Sequence, residues 1–145
     1  MQKLRGFTLI EVLIVVGIVA ILASIAFPAY TKYITRSKIA EAAAQLSDMR
    51  VKLEQHYQDN RTYATACLAN TVAPIPAPPA VKYFSYTCPT KDATSFVVQV
   101  DGLAAQNMAG FSYSIDQSGN RRTITTGWGT CANTACWVTR QDCSC

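Results

Sequence analysis

The sequence predicts an α+β fold in which one long, bent N-terminal helix packs on a four-stranded antiparallel sheet, with a disulfide-closed C-terminal region. Three observations carry that expectation. Residues 7–27 form an apolar segment whose single charge is Glu11, and helical spacing of apolar residues then continues as far as Tyr57. After residue 80 come short runs rich in aromatic and β-branched side chains. Four of the six cysteines fall in the last 15 residues. A helix and a sheet that each carry one apolar face are most simply buried against one another.

The helix begins with Phe7 to Phe27, 21 residues that as a helix are long enough to cross a hydrocarbon core of about 30 Å. A secretory signal puts its small-residue cleavage site after the apolar run. Here the basic leader Met1-Gln2-Lys3-Leu4-Arg5-Gly6 ends in glycine before the run, so a cut there leaves the apolar helix attached. Glu11 costs about 2.5–3.5 kcal/mol on insertion scales and calls for a partner. Beyond Pro28, which removes one backbone hydrogen bond and should kink the rod, the residues Ile39, Ala42, Leu46, Met49, Leu53 and Tyr57 recur every three or four positions. Asn60 is the expected left-handed cap that ends a rod on the order of 80 Å long.

The run Gly6-Phe7-Thr8-Leu9-Ile10-Glu11 resembles the cleavage and methylation motif of type IV prepilins. That resemblance implies that a prepilin peptidase cuts between Gly6 and Phe7 and methylates the new amino group of Phe7. It also implies that Glu11 neutralises the Phe7 ammonium of a neighbouring subunit during assembly. Charge chemistry agrees, since a buried carboxylate and a buried ammonium are each costly alone and tolerable together. The implied organisation is a leader at 1–6, a transmembrane and filament-core half at 7–28, and an extracytoplasmic globular domain at 29–145. Across 30–63 and 111–120 the chain is most similar to PilE-type pilins. The implied partners are other pilin subunits, the peptidase and the inner-membrane assembly machinery. The chain would sit in the inner membrane with its C-terminal domain in the periplasm before assembly, and in an extracellular pilus afterwards.

After the helix, Pro74-Ile75-Pro76-Ala77-Pro78-Pro79 cannot donate to a sheet and reads as a surface loop. Tyr83–Thr87, Thr94–Val100 and Phe111–Ile115 read as strands, the last placing Phe111, Tyr113 and Ile115 on one face. Gln117-Ser118-Gly119-Asn120 is a turn and Thr123–Thr126 a fourth strand. An even cysteine count beyond an apolar segment reads as a disulfide framework in an oxidising compartment. Lys32, Arg36 and Lys38 pull the other way, because positive charge beside a spanning helix normally marks its cytoplasmic side. Six cysteines allow 15 pairings. The expected set is Cys67–Cys88, tying the loop after the helix to the first strand, Cys136–Cys145, and the remaining Cys131–Cys143.

Composition narrows the function. The formal charge is +4, and loss of Lys3 and Arg5 with the leader would lower it by two, so no strong electrostatic partner is implied. The cysteine spacings do not match paired zinc knuckles, no nucleophile, base and acid can be assembled around the single histidine His56, and no phosphate loop is present. No enzyme activity, metal or cofactor is therefore expected. The expected function is a structural subunit of a type IV pilus, serving adhesion, twitching motility or DNA uptake. Two alternatives stand beside it: a pseudopilin of a type II secretion system, which shares the N-terminal motif, and a minor pilin that binds DNA. For the latter, Arg121 and Arg122, with Lys82, Lys91 and Arg140, are the candidate phosphate contacts, scattered among Asp92, Asp101, Asp116 and Asp142.

Overall fold

The computed structural model describes residues 7–131 and 135–145. One helix, α1, spans Leu9–Asn60 and holds Pro28 inside it. Four strands follow: β1 (Phe84–Lys91), β2 (Phe96–Gly102), β3 (Ser112–Asp116) and β4 (Arg121–Thr125). They form one antiparallel sheet in sequence order. The chain divides into two units, Met1–Thr35 and Arg36–Cys145.

Among the described residues the first unit is helix from Leu9 onward, with its large apolar side chains uncovered. By length and composition it qualifies to cross a membrane, with a mean hydropathy of 2.9 over its most apolar stretch. Ser24, Thr31 and Thr35 turn their hydroxyls back onto carbonyls of the preceding turn, at Ile21, Pro28 and Thr31, so their polar groups are satisfied within the helix.

The second unit has its own core. The stripe Ile39, Ala42, Leu46, Met49 and Leu53 is buried against Phe84, Tyr86, Phe96, Val98, Val100, Tyr113 and Ile115 from the inner face of the sheet. His56 completes the buried stripe and Tyr57 is half-buried at its edge. Tyr57 stacks on Tyr63 at 4.6 Å, and Tyr63 meets Phe96 edge-on at 4.9 Å. The Tyr63 hydroxyl donates to Glu54, and burial with that neighbouring carboxylate pushes its pKa up to about 12.

Three local features differ from the sequence expectation. The left-handed cap falls on Arg61 (φ 59°), whose N–H donates to Tyr57 O at 2.7 Å. Asn60 stays helical because its side-chain amide is occupied, donating to the His56 carbonyl at 3.0 Å. Strand β1 continues past Pro89 to Lys91; it is an edge strand whose register shifts between Thr87 and Thr90, the one arrangement in which a residue without an N–H is tolerated. Strand β4 begins two residues early, at Arg121.

The β3–β4 turn needs its glycine. Gly119 has φ 79°, and a Cβ there would stand 3.1 Å from Arg50 Cζ of the helix. The tail packs into the core beside β4, with Trp137 and Val138 buried. Thr123 Oγ1 donates to Cys136 O and accepts from Val138 N–H, both at 2.8 Å, while the Tyr113 hydroxyl donates to Val138 O and Trp137 Nε1 donates to Ser114 O.

Candidate functional site

Gly6 and the rest of the leader lie outside the described residues. Phe7 is exposed, and the helix starts just after it because Thr8 caps it: Thr8 Oγ1 accepts from Glu11 N–H at 3.3 Å. Phe7 and Glu11, with Val12 and Val15, line an apolar hollow of 190 Å³. The Glu11 carboxylate is exposed on this helix and makes no ion pair among the described residues.

All six cysteines are bonded, as Cys67–Cys88, Cys131–Cys143 and Cys136–Cys145. No thiolate is left for metal or redox chemistry. His56 has a structural environment: an amide nitrogen can only donate, so Nδ1 accepts from Asn60 Nδ2 at 3.4 Å and Nε2–H donates to Thr65 Oγ1 at 3.0 Å.

The basic residues sort by what holds them. Lys52 pairs with Asp48 at 2.8 Å. Lys38 Nζ donates to Gln106 O and lies 4.9 Å from the Tyr83 ring centroid, and Lys91 Nζ donates to Ala66 O. The side chains of Arg61, Lys82 and Arg122 make no hydrogen bond or ion pair among the described residues. Asp92, an acid near Lys91, has its carboxylate drawn into its own turn by Ser95 and by the backbone N–H groups of Thr94 and Ser95, which holds its pKa below the usual range.

Arg121 and Arg122 do not act together. Neighbours on a strand point to opposite faces. Arg121 pairs across from Ile115 and lies over the indole of Trp137 at 4.9 Å, on the core side. Arg122 pairs across from Ser114 on the outer face and stands free.

That outer face brings Gln99, Ser112 and Ser114 beside Asp101 and Asp116, of which only the two acids stand out in the sequence. Asp101 accepts from Gln99 Nε2 (3.0 Å) and from the Ser112 hydroxyl (2.7 Å). Toward the β3–β4 turn, Val97, Ser114, Ile115, Asp116, Asn120 and Arg122 line an open groove of 410 Å³. The period-2 polar pattern Gln99/Asp101 and Ser112/Ser114/Asp116 was the available signal.

Comparison with known proteins divides the chain between residues 27 and 28. Residues 1–27 match a family described as the prokaryotic N-terminal methylation motif. Residues 28–110 match one described as type IV minor pilin ComP, DNA uptake sequence receptor. A fimbrial protein of Dichelobacter nodosus is 34% identical over 132 residues, covering 89% of this chain and 71% of that one. A fimbrial protein of Moraxella nonliquefaciens is 41% identical over 64 residues, 44% of this chain and 42% of its own. A probable minor fimbrial protein of D. nodosus is 40% identical over 62 residues, 43% of this chain and 39% of its own. The fold is similar to that of the Neisseria meningitidis non-core minor pilin PilV, with a TM-score of 0.54, 16% identity, and coverage of 66% of this chain and 92% of that one.

Proposed function

Since this chain belongs to the type IV pilin family, we propose that it is a minor pilin whose globular unit binds duplex DNA at the cell surface as a step in uptake. The observation that carries the reading is the match of residues 28–110 to the DNA uptake sequence receptor family. Of the readings opened by the sequence, this one has more support than a subunit serving adhesion or twitching motility. The N-terminal half serves it in the way the motif implies: cleavage after Gly6, methylation at Phe7, and Glu11 meeting the Phe7 ammonium of the next subunit in a filament of pilin copies.

The matched segment ends before β4, so the phosphate contacts are drawn first from Arg61 and Lys82, two of the unpaired cations within it, with Lys32 and Arg36 nearer the membrane-spanning stretch and Arg50 turned toward Gly119. Arg122 lies outside that segment and beside Asp116, and Arg121 is held on Trp137, so neither is assigned a phosphate. Affinity supplied by such contacts releases counterions and falls with salt.

The test is fluorescence anisotropy of a labelled duplex with the full chain in detergent micelles, across a salt series. Each phosphate contact removed lowers the log–log salt slope by about 0.9. We expect Arg61→Gln with Lys82→Gln to flatten the slope more than Arg122→Gln does. Absence of binding by the unmodified chain at low salt sinks the proposal.

A further inference from the structure

The outer-face groove at the β3–β4 turn lies on the opposite side of the sheet from the tail, and its chemistry is unlike that of a DNA contact. Arg122 is the one cation among its lining residues and carries no partner among the described residues. Asp116, the one acid, is already committed: Oδ1 accepts from Asn120 N–H at 2.9 Å and Oδ2 from Asn120 Nδ2 at 2.8 Å. That commitment leaves the guanidinium uncompensated while keeping the carboxylate in place.

The remaining groups of the groove mostly accept. Asp116 keeps spare lone pairs, Asn120 Oδ1 is unused because its nitrogen is turned to Asp116, and Ser114 Oγ makes no hydrogen bond among the described residues. Val97 supplies an apolar wall. A phosphodiester brings only acceptors and would set its charge against Asp116. A carboxylate matches the planar fork of one arginine, and donors on the neighbouring ligand atoms match Asp116, Asn120 and Ser114. The volume of 410 Å³ falls within the range of roughly 300–1,000 Å³ found for small-molecule sites.

We propose that this groove binds a small carboxylate flanked by hydrogen-bond donors, with Arg122 holding the carboxylate and Asp116, Asn120 and Ser114 receiving the donors. The donors come either from hydroxyls, as in a sugar acid, or from an ammonium, as in an amino acid. The site is independent of DNA binding and stands whether or not that reading holds.

The experiment is NMR titration of the full chain in detergent micelles with glucuronate, serine, acetate, glucose and inorganic phosphate. The Arg122 Nε–H resonance and the Ser114 and Asn120 amides are followed. Saturable shifts are expected with glucuronate or serine, and whichever binds identifies the donor source. Acetate and glucose should bind about tenfold more weakly, since each lacks one half of the recognition. Arg122→Gln should abolish the shifts, and Arg122→Lys should keep part of the affinity, with the thermal midpoint of both variants unchanged. The proposal is overturned if acetate or phosphate binds as well as glucuronate and serine, if no ligand saturates, or if Arg122→Gln binds like the unmodified chain.

Discussion

Valines meet opposite fates in the two units of this chain. Val15 and Val16 are 54% and 60% exposed, whereas Val98 and Val100 are fully buried. Burial of such a side chain is worth about 1.5–3 kcal/mol. The sheet unit Arg36–Cys145 takes that gain from its own residues, and the helical unit Met1–Thr35 takes none from itself. The difference teaches that hydrophobicity in this protein has two destinations. In one unit it folds the chain, and in the other it stays uncovered, as the proposed membrane and filament role requires.

The largest expected effect lies in the folded unit. Phe96→Ala removes a fully buried ring that Tyr63 meets edge-on, and should cost the unit about 3–5 kcal/mol while leaving membrane insertion intact. Urea unfolding followed by near-ultraviolet circular dichroism reads the loss. A cost under about 1 kcal/mol would mean that the core is not where stability resides.

Gly119→Ala comes next. It places a side chain at φ 79° and against Arg50, for an expected loss of about 1–2 kcal/mol on the same measurement. An unchanged midpoint would show that the turn is not locked to the helix.

Alkaline pH sharpens the comparison further. The Tyr63 phenol is raised to about 12 by burial and by Glu54, so the stability it contributes is fully present below its unfolded value of about 10. That contribution is lost as pH rises through about 12. Burial raises the Tyr86 and Tyr113 phenols in the same direction. Unfolding midpoints should therefore fall above about pH 10, and Tyr63→Phe should soften the decline. A midpoint that stays level above that pH contradicts the assignment.

The smallest effect on folding is the most telling about the other unit. Glu11→Val should leave the unfolding midpoint within about 0.5 kcal/mol of the parent and still insert in the membrane, yet enter filaments poorly. Quantifying the variant in sheared filaments checks it. Normal incorporation removes the charge-pairing argument.

Much of this architecture was legible because period and chemistry agreed. Ile39, Ala42, Leu46, Met49 and Leu53 stood at helical spacing and all are buried, and the four expected strands form one antiparallel sheet. What was not legible depended on neighbours distant in sequence or on single dihedral angles. Nothing local distinguishes Asn60 from Arg61 as the left-handed cap, because the choice turns on an amide already bonded to His56 O. The aromatic and β-branched run suggested an end to β1 at Thr87, but an edge position with a shifted register admits Pro89. The adjacent arginines looked like one basic patch until β4 proved to start at Arg121, where alternation sends them to opposite faces. The groove beside Arg122 required Asp116 to be occupied by Asn120, a bond across a turn.

The tail has one more consequence. Among the described residues, three hydrogen bonds from the sheet end on the tail's main chain: Thr123 to Cys136 O, Val138 N–H to Thr123, and Tyr113 to Val138 O. Attachment through backbone atoms is indifferent to which side chains stand beside them. Exposed positions between the cysteines that make no side-chain hydrogen bond, such as Arg140 and Gln141, are therefore open to replacement without loosening the clasp. The outward face of the tail can thus vary in chemistry while the fold beneath it stays the same.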